Sequence, residues 1–217
     1  MLVWNKRQTE RSRIDWLEAV FVALVGLVVL VGWFGVLLAS FGAFSLTILA
    51  VMLLAVAGGV VWWQRPFTFP RFLPLTWYET ALVILLFVFA VIYFRPHEFV
   101  LGGGDAGGYM NIGATLAQTG DFILHDEWVS SLRPYADVTL REQPSHWQTR
   151  YLQFVGWYID DHDPARIIPQ FFPFHPVLIA VGIGLAGLYG GLLVTPLWAV
   201  LGLTAIYLLS RQLLTAR

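Results

Sequence analysis

The densest run of residues able to do chemistry is Gly102-Gly103-Gly104-Asp105-Ala106-Gly107-Gly108-Tyr109, which leads through Ile112-Gly113 and Leu116 to Gly120-Asp121-Phe122. A carboxylate such as Asp105 can accept the proton of a hydroxyl while a new C–O bond forms. The glycines resemble a phosphate cradle, but their spacing is not G-x-x-x-x-G-K-[ST] and no Lys follows. A second cluster, Asp160-Asp161-His162-Asp163-Pro164, brings together carboxylates and an imidazole, ligands suited to a divalent cation. Its spacing matches no EF-hand loop, and Asp-Pro in a polar run also reads as a turn. His125-Asp126-Glu127 has the same character with fewer ligands, and His97-Glu98 reads as an interfacial pair.

The elements that must position these groups follow from spacing. Tyr109, Ile112, Gly113, Leu116 and Ala117 recur at helical intervals, which predicts a short amphipathic helix beginning just after Asp105 and ending at Gly120. Such a helix can lie flat on a membrane surface. An Asp at its start is also a good N-cap acceptor for free backbone amides, so Asp105 has a structural reading beside the catalytic one. Only the catalytic reading predicts loss of turnover without loss of folding.

The rest of the chain is membrane material. Of 217 residues, 58% are apolar and 12% charged, against about 25% charge in soluble domains. Mean hydropathy is +0.68. Residues 19–64 and 167–210 run for 46 and 44 positions without Asp, Glu, Lys or Arg. One crossing needs about 20 apolar residues, so the chain is read as an all-α, multi-pass integral membrane protein with about five spans. The net charge of −1 gives no basic field for nucleic acid, and the absence of Cys excludes disulfides and thiolate chemistry.

Residues 1–15 carry Lys6, Arg7, Arg11 and Arg13 and form a cytoplasmic N-terminus. The apolar run that follows is longer than a cleavable signal core, which indicates a retained anchor. Spans are expected at about Trp16–Leu38, Ser45–Trp63 and Leu75–Phe94, with Trp62 and Trp63 in an aromatic belt. Glu79, near the start of the third span, is expected to reach water at the helix end. The N-terminal cluster and the Arg65/Arg71 loop both face the cytoplasm by the positive-inside rule, which sends residues 95–170 to the extracytoplasmic side of the plasma membrane. That segment holds ten of the 14 acidic residues and five Arg, and is too long for a mere connector. Short juxtamembrane helices are expected within it. Pro169, Pro173 and Pro176 then introduce residues 177–210, with a Gly-rich middle at 187–191. Two crossings of about 17 residues fit there and would leave Arg211 and Arg217 outside; a dip by 177–189 would place them inside. The two-crossing hairpin is the preferred expectation.

The pattern Asp105, Tyr109, Ile112-Gly113, Leu116 and Gly120-Asp121-Phe122 resembles the first extracytoplasmic loop of the GT-C membrane glycosyltransferases, in particular the protein O-mannosyltransferase and aminoarabinose transferase group. Pro169-Gln170-Phe171-Phe172-Pro173-Phe174-His175-Pro176 is similar to the aromatic entry to that group's next membrane segment, and Tyr207 to Arg211 to the helix end after it. The likeness covers about residues 75–211. The family often has Glu directly after the Asp and a basic residue before the Tyr, where this chain has Ala106 and Gly108.

The resemblance implies transfer of a sugar from a polyprenyl-phosphate carrier to an acceptor on the outer face. Asp105 would be the general base, with Tyr109, Arg95 and Asp121 on the substrate side. The leaving phosphate needs positive charge, from Arg95, another Arg or a divalent metal. Family members commonly continue for several further spans, so the chain looks like the N-terminal part of such an enzyme or a shortened relative. The alternative is a non-catalytic integral-membrane subunit packed beside other membrane proteins; a transporter fits less well, because the spans are expected to lack paired interruptions or buried charges.

Overall fold

A computed structural model of the chain describes residues 13–14, 16–63, 71–72, 75–95, 104–132, 134, 141–143, 151–154, 156–159 and 165–215. The described chain is mainly helical: α1 (Trp16–Ser40), α2 (Leu46–Trp63), α3 (Trp77–Tyr93), α4 (Asp105–Thr119), α5 (Glu127–Ser131), α6 (Phe174–Leu192) and α7 (Val194–Thr215). By length and composition alone α1, α2, α6 and α7 are candidate membrane spans, although α6 is counted across a kink, and α3 is a shorter apolar helix of 17 residues. The protein is a multi-pass membrane protein of α-helical class, as its composition requires. Two compact units divide it, one of residues 1–30, 53–96 and 195–217, the other of residues 31–52 and 97–194.

In the first unit the helices expose long runs of Val, Leu, Ile and Phe, such as Leu54, Val60, Phe87, Val88 and Ile92. Apolar side chains facing outward are normal where the solvent is lipid, and a helix satisfies its own backbone there. Trp16, Trp62, Trp63, Trp77 and Tyr78 are exposed at helix ends, as an aromatic belt requires. Strands β1 (Arg13–Ile14) and β2 (Arg71–Phe72) pair in parallel beside these ends.

The start of α3 is fixed by side chains. Thr76 caps it, accepting from the Glu79 amide at 3.3 Å while Glu79 Oε2 accepts from the Thr76 amide at 2.7 Å. Glu79 does not reach water as the sequence suggests: it is 5% exposed, and its Oε1 accepts from Arg211 Nη1 at 2.6 Å. Glu18, in the first turn of α1, lies 3.6 Å from Arg211 Nη2. A carboxylate enclosed by apolar helices needs a counter-charge, and α7 supplies it. The expectation that Arg211 lies on the opposite face from Glu79 is therefore not met.

The second unit is the polar segment with the helix ends that hold it. Its helical content was expected; its sheet was not. Five short antiparallel strands run in the order β3 (Leu124–His125), β7 (Arg166–Pro169), β6 (Trp157–Ile159), β5 (Tyr151–Phe154), β4 (Arg141–Gln143). Along β6, Trp157 and Ile159 are buried and Tyr158 is half-buried between them, and Ile159 pairs with the buried Ile167. Phe122, Val129 and Ala165 join this core.

Helix α4 packs along α6 with both running the same way. Tyr109 meets Phe171 and His175, and one turn later a β-carbon at Gly113 would stand 2.5 Å from Ile179 Cγ2 and 3.0 Å from the Pro176 carbonyl. Glycine is what allows this approach. Helix α6 is itself interrupted, since Ala186 and Gly187 leave helical geometry and Gly187 takes φ of +65°. The chain then folds back, because a β-carbon at Gly182 would lie 2.5 Å from the Gly190 carbonyl oxygen, eight residues ahead. The Gly-rich turn sits where the sequence puts it, but its first arm, Phe174 to Leu185, is about 18 Å long and too short for a 30 Å hydrocarbon core.

Candidate functional site

Asp105 is the first helical residue of α4, and the N-cap is Gly104, which brings no side-chain acceptor. The capping reading of Asp105 is thus replaced by a first-turn acid, favoured by the positive end of the helix dipole. Its carboxylate is exposed and, among the described residues, has no hydrogen-bond partner.

Tyr109 lies one turn further along the same face of α4. Its ring stacks on Phe171 with centroids 4.5 Å apart at 30°, and meets the His175 ring edge-on at 5.2 Å and 83°. Phe171 also lies against Gly108, so a side chain there would displace the ring. Gly156 comes within 2.9 Å of the same backbone, measured from a β-carbon built on it to Gly108 Cα, at φ of +85°. Two glycines thus bring the β5–β6 turn onto the first turns of α4, and the Gln170 amide donates to the Gly156 carbonyl at 2.9 Å. Phe172, beside this cluster in sequence, is 87% exposed. The result is an acid and an aromatic wall at the shared N-terminal end of two parallel helices. The family resemblance groups Asp105 with Tyr109, and it marks the aromatic entry at residues 169–176 without linking His175 or Phe171 to Tyr109.

The other expected residues go elsewhere. Asp121 lies beyond the C-terminus of α4, about 22 Å along the axis from Asp105. There its Oδ1 accepts from the Ile123 amide at 2.9 Å and closes an Asx turn. Gly120, at φ of +77°, caps α4 through its amide to the Leu116 carbonyl, and its own carbonyl accepts from the Phe44 amide at 3.0 Å. Asp121 therefore does a structural job at the opposite end from Asp105. Arg95 is exposed just after α3, in the first unit.

The proposed metal ligands Asp160, Asp161, His162 and Asp163 lie outside the described residues. Among the described residues no group of three or more His, Asp and Glu gathers to hold a metal. His125-Asp126-Glu127 serves the fold instead: Asp126 caps α5, its Oδ1 accepting from the Trp128 amide at 2.9 Å. Trp157 is 5% exposed and belongs to the sheet core. No family model, curated protein or solved structure matches the chain.

Proposed function

We propose that the chain is a GT-C-type membrane glycosyltransferase, or the donor-side part of one. It moves a sugar from a polyprenyl-phosphate carrier to an acceptor hydroxyl on the extracytoplasmic face of the plasma membrane, with the N-terminus in the cytoplasm. The observation that carries the reading is Asp105 itself: an exposed carboxylate, released from capping duty, on one helix face with the Tyr109–Phe171–His175 aromatic cluster. Asp105 takes the acceptor proton as the C–O bond to the sugar forms, and the carrier phosphate departs with the bond to the anomeric carbon. Tyr109 and the exposed Phe172 supply apolar faces for the sugar ring or the carrier. The departing phosphate needs compensating positive charge, from an Arg or a divalent cation. The alternative, a non-catalytic membrane subunit, shares the helices and gives Asp105 no task.

The test is release of polyprenyl phosphate from a labelled lipid-linked sugar by the purified protein in lipid nanodiscs with an acceptor present. Wild type is expected to turn over, and Asp105→Asn to lose about 10²- to 10⁴-fold, the range for removing a general base. Equal turnover in the two proteins overturns the role of Asp105; no release by wild type with any lipid-linked sugar favours the subunit.

A further inference from the structure

We infer that the chain crosses the membrane four times, by α1, α2, α3 and α7, and that α6 does not cross. The Glu79–Arg211 ion pair clasps α7 in that direction. The inference is independent of the transferase reading.

Three observations support it. The first is the clasp. Arg211, eighteen residues into α7, bonds Glu79 in the first turn of α3 and lies near Glu18 in the first turn of α1. The last turns of α7 therefore share a face with the first turns of α1 and α3. Since α3 leaves that face and α7 returns to it, the chain between Phe94 and Val194 must begin and end on the opposite face. No odd number of crossings fits between them.

The second is α6. Its straight arm of about 18 Å is too short to cross, and the Gly182–Gly190 contact turns the chain back. After the turn the Leu193 amide donates to the Tyr189 and Gly190 carbonyls and ends α6 before α7 begins. Helix α7, with 22 residues, is long enough to be the crossing by itself.

The third is charge. With four crossings, Lys6, Arg7, Arg11 and Arg13, the Arg65/Arg71 loop, and Arg211 with Arg217 all fall on one face, while the segment with ten acidic residues and five Arg falls on the other. A fifth crossing would send Arg211 and Arg217 to the acidic side. The positive-inside rule is obeyed throughout only when α6 stays on one side.

The absence of Cys makes the test direct, because each introduced thiol is the only one. Ser131→Cys, Thr195→Cys and Leu213→Cys, all at exposed positions, are each labelled with a membrane-impermeant maleimide in sealed, uniformly oriented vesicles before and after permeabilisation. Trp128→Cys duplicates the first position if Ser131→Cys fails to fold. The expected result is that positions 131 and 195 label together from one face and 213 only from the other. If 213 labels from the face of 131, or 195 from the opposite face to 131, α6 crosses and the inference is wrong. The clasp has its own readout: Arg211→Gln in the Leu213→Cys background is expected to give labelling of 213 from both faces, and labelling as sharply one-sided as in the parent rejects the clasp as the element that fixes α7.

Discussion

The two units are held together by opposite means. In the first, side chains face outward into an apolar solvent, so burial of Leu or Val against a neighbour gains little over burial in lipid. What distinguishes one arrangement of α1, α3 and α7 from another is a charge pair, Glu79 with Arg211, reinforced by the Thr76–Glu79 capping box. In the second, the side chains pack into a conventional core of Trp157, Ile159, Ile167, Leu116 and Ile112, and backbones approach one another directly through Gly108, Gly113, Gly156, Gly182 and Gly190. Where lipid removes the hydrophobic driving force, specificity falls to a few polar contacts; where a core exists, it is spread over many small steric fits. A single substitution should therefore do most damage at the clasp and graded damage among the glycines.

The largest stability loss is expected for Glu79→Ala, which removes the 2.6 Å bond to Arg211 and the capping box together, at a cost of about 3 kcal/mol. Thermal unfolding in detergent checks it, and adding Arg211→Leu should recover part of the loss, because the charge that lost its buried carboxylate disappears. A double variant worse than the single would show that the pair is not the organising contact of the first unit.

Gly182→Ala comes next, at about 2 kcal/mol, within the range for overpacking. Its new methyl would face the Gly190 carbonyl oxygen, part of the backbone, which cannot move aside as a side chain can. The smallest effect should come from Gly58→Ala in α2, where nothing lies within 4 Å of the added methyl. Better helix propensity there predicts a gain of about 0.5–1 kcal/mol. Equal melting shifts for Gly182→Ala and Gly58→Ala would erase the contrast between packed and lipid-facing glycines.

Much of the helical frame is legible in the sequence because long chargeless runs have one use in a polypeptide of this size. The predicted spans at 16–38, 45–63 and 75–94 agree with α1, α2 and α3 to within two residues at each end. Helix α4 is legible from its period and from Gly120, whose left-handed conformation ends it. The sheet is not legible, because strands of two to four residues are too short to show alternation. Nor is the Glu79–Arg211 pair, whose partners stand 132 residues apart with nothing local to link them. At the site, helical spacing gave the helix from Tyr109 onward but left Asp105 before its start, whereas Asp105 is its first helical residue. The assignment of Asp121 to substrate failed to foresee that an Asp two residues before an unpaired amide closes a turn, as it does with Ile123.

The central claim is that Asp105 has a chemical task and Asp121 a structural one. The most direct measurement is lipid-linked sugar turnover by Asp105→Asn and Asp121→Asn side by side, each with its melting temperature. Asp121→Asn keeps the Oδ1 acceptor and should retain turnover within a few-fold. Asp105→Asn should melt with wild type and lose about 10² or more in turnover. Wild-type turnover in Asp105→Asn, or a loss of activity that merely follows a loss of folding, would contradict the account.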